Sequence, residues 1–248
     1  TEETTPSTQD ISKLRAQIDE IDAQIAHPLV KRSEISQAVA FSKIQDAKNT
    51  NAELSFGWRP KREVEILRLV RQAEPSLGKR LLYMVWRAMI TRNLANQAPM
   101  DVLCVKETDA ASRMGFGAAA NPKIMADCDE VIKIGAGKEN LILSLPWPDE
   151  NQNWWLKLLE PQNQALKIVM ALPHIDERTP EALCMAKVTP LETQNDYSLI
   201  VTNNDTPPEN GKKLSEKNGK YLWLIQGFCE NLHNPEKETY FLGAYAIA

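Results

Sequence analysis

The sequence predicts an all-helical N-terminal domain followed by an α/β domain. Three observations carry this. A heptad-spaced apolar row runs between Asp10 and Lys43. Two more helix-patterned segments precede Ala98-Pro99, and after it short apolar runs alternate with helical patterns. The expected limits are a loose tail over residues 1–9, rich in Thr, Glu, Ser and Pro, a helical domain over 10–98 and an α/β domain over 99–248.

The first helix organises the chain. Ile11, Ile18, Ile25 and Val39 recur at seven-residue steps, and Leu14, Ile21 and Ile35 form the neighbouring row. Ser7 or Asp10 is suited to cap its start. Two residues interrupt the seam: Arg32 stands in the first row and Pro28 in the second. An unpaired guanidinium on an apolar seam costs on the order of several kcal/mol, so Arg32 either turns to water or meets an anion. Pro28 removes a backbone hydrogen bond and is expected to kink the helix. Lys43 lies three helical turns beyond Arg32, on nearly the same face. Arg15 lies roughly 25 Å back along the axis and about 100° round it. That is too far to share one small ligand with Arg32 of the same chain, but suits the ligand of an antiparallel partner.

From Asp46 to Trp58 the chain turns polar, which predicts a long connection. A second helix is expected from Pro60, a residue favoured at a first helical position, with Val64, Leu67 and Val70 inward and Pro75 as its stop. A third is expected from Leu77 to Gln97, with Leu82, Trp86, Met89 and Ile90 on its inner stripe, ending in the amides of Asn93 and Gln97 four residues apart. These helices are too short to cover the first one's seam, so a dimer of long helices is expected.

Beyond Pro99 the pattern predicts strands at Val102–Val105, Leu141–Leu145, Leu166–Ala171, Leu183–Val188, Ser198–Thr202, Tyr221–Ile225 and Tyr240–Tyr245. Helices are expected near Pro122–Ile134, Trp154–Leu159 and Pro208–Glu216.

A net charge of −4 argues against a general nucleic-acid binder, and no apolar run is long enough for a membrane helix. The four cysteines are far apart with no CxxC, and the three histidines are scattered, so no metal site is expected. Gly135-Ala-Gly137-Lys138 lacks the remaining residues of a phosphate loop. The expected compartment is the cytoplasm.

One ordered set of residues carries a resemblance: Leu14-Arg15, Ile18-Asp19, Ile21-Asp22, Lys31-Arg32, Lys43, Arg59-Pro60-Lys61-Arg62-Glu63, and Asn93 with Gln97. In this the first hundred residues resemble the all-helical, AroQ-type chorismate mutases, intertwined dimers in which one arginine reaches the partner's site. The whole chain resembles the longer mutases of alphaproteobacteria, which share the Trp154-Trp155-Leu156 stretch and a strand ending Leu172-Pro173. The Val131–Leu145 region and Phe241-Leu242-Gly243-Ala244-Tyr245 resemble prephenate dehydratase.

The resemblance implies rearrangement of chorismate to prephenate in aromatic amino-acid biosynthesis, with no cofactor, metal or nucleophile. Such an enzyme folds a flexible dianion into a compact conformer and stabilises charge developing on the breaking ether oxygen. Guanidinium forks suit the two carboxylates. The implied substrate ligands are Arg32 and the partner's Arg15, supported by Arg62. Lys43 and Gln97 are the implied donors at the ether oxygen. Glu63 accepts from the ring hydroxyl, and Asn93, standing where the family often has Ser, contacts a carboxylate or water.

Each has a structural alternative: Arg15 in a helical pair with Asp19, Arg32 paired to Glu34 or Glu63, Lys43 at a helix end, Arg62 and Glu63 as surface charge, Gln97 as a helix terminus. Arg59, where the family often has Asp, and Pro28 depart from the pattern. They motivate the alternative of an inactive, mutase-like dimer that binds an effector or partner. A bifunctional mutase–dehydratase is a further alternative. The Thr-Arg-Phe and Glu-Ser-Arg-Pro signatures of dehydratases and their regulatory modules are absent from the sequence, which argues against it.

Overall fold

A computed structural model describes residues 8–50, 57–97, 100–174 and 179–248. The chain divides into two compact units, Thr1–Leu54 and Ser55–Ala248.

The first unit is the helix α1, Thr8–Thr50, which continues through Pro28. It extends past the expected end. Residues 46–50, read as the start of a polar connection, are helical, with Lys48 in the last turn where the helix dipole favours a cation. Residues 51–56 of that connection, and residues 1–7 of the expected tail with Ser7, lie outside the described residues. The heptad row stays uncovered: Ile18, Ile25 and Ile35 are each more than half exposed.

The second unit begins with α2 (Pro60–Ala73) and α3 (Lys79–Ala95). Leu67 of α2 meets Leu82 and Tyr83 of α3 in a small core. Then follow β1 (Asp101–Cys104), α4 (Asp109–Phe116), β2 (Lys123–Ile124), α5 (Cys128–Gly137), β3 (Leu141–Pro146), β4 (Lys167–Leu172), β5 (Ala182–Ala186), β6 (Asp196–Thr202), β7 (Gly211–Lys217), β8 (Lys220–Gln226) and β9 (Tyr240–Ala246). They form one mixed sheet in the order β2-β1-β3-β5-β4-β9-β6-β8-β7. β1 runs parallel to β2 and β3, and β4 parallel to β9; the other pairs are antiparallel.

Strand alternation sorts the core into two layers. Leu141, Leu143 and Leu145 of β3, with Leu183 and Met185 of β5, face Val131 and Ile132 of α5 and the buried Trp154 and Trp155. Ile142, Ala182, Cys184 and Ala186 face the other way, onto Leu94 of α3 and Phe116 of α4. The β4–β5 register shifts between Ile168 and Met170, so Val169 and Met170 both join the second layer.

All seven expected strands are present with limits shifted by a residue or two. Three expectations are corrected. Pro208–Glu216 is not a helix: β7 pairs with β8 in a hairpin turned at Asn218 (φ 54°) and Gly219 (φ 70°), the Asn-Gly pair that a tight hairpin prefers. The helix expected from Pro122 starts only at Cys128, after β2. Asp127 caps it by accepting from the Glu130 amide at 2.8 Å, while Glu130 accepts from the Ala126 amide at 3.0 Å. Trp154–Leu159 is a 3₁₀ segment fixed by the Trp154 indole donating to the Pro146 carbonyl at 3.0 Å. The helix α4 was not expected at all.

Candidate functional site

The residues expected to hold substrate fall in both units. On α1, Arg15 is exposed, whereas Arg32 and Lys43 are half-buried. Burial moves the Arg32 guanidinium below its ordinary pKa. Arg15 and Arg32 occupy one continuous helix, which keeps them apart along its axis.

In the second unit, the adjacent residues Arg62 and Glu63 part company. Arg62 lies in the first turn of α2, exposed, and pairs with Glu65 at 3.3 Å. Glu63 is buried, and its carboxylate accepts from Nη1 of the fully buried Arg87 on α3. Arg87 Nε donates to the Gly115 carbonyl at 2.7 Å, and its guanidinium lies over the Phe116 ring, 4.7 Å from the centroid. Burial pushes the Glu63 carboxyl above its usual range, while Arg87 and the Trp58 indole pull it back. Glu63 in turn keeps Arg87 charged against its own burial. Asn93 is buried and Gln97 half-buried, at the C-terminal end of α3.

Arg87 was not foreseen. It follows Trp86 of the expected inner stripe, and a pair formed across two helices leaves no mark at fixed spacing. Tyr83 and His174 were missed with it. Their rings meet edge to face at 5.1 Å, beside Arg87, and His174 is fully buried.

The second unit also holds a cavity of about 370 Å³ between the start of α2 and the sheet. Arg59, Lys61 and Arg62 stand on its helix side, and Val169 of β4 with Ala244 and Ala246 of β9 on its sheet side.

Three helices, the first of 43 residues and carrying an arginine inside its apolar row, are followed by a mixed-sheet domain, which makes this a helical region joined to an α/β domain. Residues 14–98 match the family model described as chorismate mutase type II. The match covers most of α1 and all of α2 and α3, and leaves the sheet outside it. Among solved structures, the chain is similar to prephenate dehydratase from Streptococcus mutans, at 17% identity and a TM-score of 0.39, over 60% of this chain and 98% of that one. No curated protein matches the sequence. No described helix is long and apolar enough to cross a membrane.

Proposed function

We propose that the protein is a chorismate mutase, converting chorismate to prephenate as a cofactor-free homodimer in the cytoplasm. The observation that carries this is the family match over residues 14–98, within which every substrate ligand implied by the resemblance has its residue. Arg32 and the partner's Arg15 take the two carboxylates, with Arg62 in support. Lys43 and Gln97 donate to the ether oxygen as the bond breaks, the interaction that strengthens between ground and transition state. Asn93 contacts a carboxylate or a water. Glu63 accepts from the ring hydroxyl while shared with Arg87, since a carboxylate has about four acceptor positions. The homodimer reading is supported by the uncovered row on α1, from Ile11 through Ile18 and Ile25 to Val39.

The test is incubation of the purified protein with chorismate, followed by the ultraviolet loss of substrate. We expect turnover, and a loss of roughly a hundredfold or more in kcat/KM for Arg32→Ala and for Lys43→Ala, with unchanged circular dichroism. No catalysed loss of chorismate at any enzyme concentration would reject the reading. Phenylpyruvate formed from added prephenate would instead support the bifunctional alternative.

A further inference from the structure

The cavity beside α2 has a chemistry of its own. Of the residues implied as chorismate ligands, only Arg62 lines it. Its walls are Val64 on the helix, Val169, Ala244 and Ala246 on the sheet, and Val188 and Leu191 on the segment between β5 and β6. Leu191 is 60% exposed, a large apolar side chain left in water at the edge of an apolar chamber.

The charges around it do not cancel. Arg62 pairs with Glu65. Both oxygens of Asp196 are taken by Thr193, one by its amide at 2.7 Å and one by its hydroxyl at 2.8 Å. Arg68, which donates to the Thr193 and Ile247 carbonyls, offsets the Asp196 charge. That leaves Arg59 and Lys61, neither of which has a carboxylate within ion-pair distance among the described residues. They flank Pro60 at the start of a 14-residue helix whose first turn has no side-chain cap. The helix dipole there favours negative charge as well. Arg59 and Lys61, unpaired among the described residues, thus line a chamber whose other walls are mostly hydrocarbon.

We propose that this cavity binds a small carboxylate with a compact apolar body, the carboxylate held by Arg59 and Lys61 and the apolar body between α2 and strands β4 and β9. A volume of about 370 Å³ lies at the small end of ligand pockets, which limits the body to a single ring or a branched chain. The site does not rest on the mutase reading, and the sheet supplies much of its wall.

The test is isothermal titration calorimetry of the full chain with 3-phenylpropionate, using 3-phenylpropionamide as the uncharged control. We expect saturable one-to-one binding with a dissociation constant below about 1 mM, and roughly tenfold or greater weakening for the amide. The Arg59→Ala/Lys61→Ala double variant should show similar weakening, and Val188→Trp, which fills the chamber, should abolish binding. Arg32→Ala should leave it unaltered, and Val188→Trp should leave chorismate turnover unaltered. The proposal is overturned by absence of saturation up to about 10 mM, by equal affinity for acid and amide, or by binding that survives Val188→Trp. Displacement of the probe by chorismate together with its loss in Arg32→Ala would also overturn it, by assigning the probe to the mutase ligands. Turnover is measured separately, so either reading can fail alone.

Discussion

Arg87 of α3 holds the Glu63 carboxylate of α2 inside the second unit, and both side chains are buried. The same guanidinium donates to the Gly115 carbonyl of α4. One cation therefore joins three helices. Removing one member of such a pair leaves an uncompensated buried charge, whereas replacing both with apolar side chains does not. We expect Arg87→Met to lower unfolding free energy by about 3–5 kcal/mol, and the Glu63→Leu/Arg87→Met double variant to recover most of that. Urea unfolding of the four species of a double-mutant cycle measures the coupling. Additive losses would show that the pair contributes nothing beyond its separate contacts.

His174 gives the second unit a defined response to acid. Burial, then the positive charge of Arg87, pushes its imidazole down to about 3. In the unfolded chain a histidine titrates near 6.5. Below that pH the unfolded state takes up a proton that the folded state refuses, so stability is full above about 6.5 and falls as pH drops toward 3. The expected slope is about 1.4 kcal/mol per pH unit between pH 6 and pH 4. Unfolding curves at pH 7.5, 6, 5 and 4 should show it, and His174→Leu should flatten it. An equal slope in that variant would assign the acid sensitivity elsewhere.

Gly243 sits in β9 with φ 137° opposite Ile168 of β4, and a Cβ there would collide with the Ile168 carbonyl oxygen. Only glycine fits both the backbone angle and the close approach. Gly243→Ala is expected to destabilise the protein by about 3 kcal/mol. Thermal unfolding reports this directly; a variant as stable as the parent would show that β4 and β9 can separate at no cost.

The apolar row of α1 leads to a prediction about assembly. Ile18 and Ile25 are both more than half exposed, and a carboxylate at each would place charge on the face that the proposed homodimer buries. On the proposed homodimeric mutase, Ile18→Asp/Ile25→Asp should shift the protein from dimer to monomer in sedimentation equilibrium and remove turnover. A parent that sediments as a monomer at all concentrations would reject the dimer.

Much of this architecture was legible beforehand because its signals are local. Pro60 and Pro75 bracket α2, and short continuous apolar runs mark β3 and β5 whatever their neighbours. The hairpin of β7 and β8 was also legible, in Asn218-Gly219, but Lys212, Lys213, Glu216 and Lys217 on an exposed edge strand mimic a helix face. The helix α4 escaped notice because Asp109–Phe116 carries few apolar residues and owes its place to Phe116 packing on the sheet. For the proposed site, Arg32, Lys43 and Gln97 were named by the resemblance, whose motifs lie along single helices. The burial of Glu63 was not legible in this way, because it depends on Arg87, 24 residues later. The cavity likewise joins α2 to strands more than a hundred residues downstream, a pairing no window of sequence contains.

The place of β9 in the sheet has a consequence for biosynthesis. It lies between β4 and β6, so until residues 240–246 have been translated those two strands cannot be bridged. A nascent chain then carries two unfinished half-sheets, β2-β1-β3-β5-β4 and β6-β8-β7, each with an unpaired backbone edge. Such edges are what ribosome-associated chaperones shield, and β9 is the strand that covers both of them.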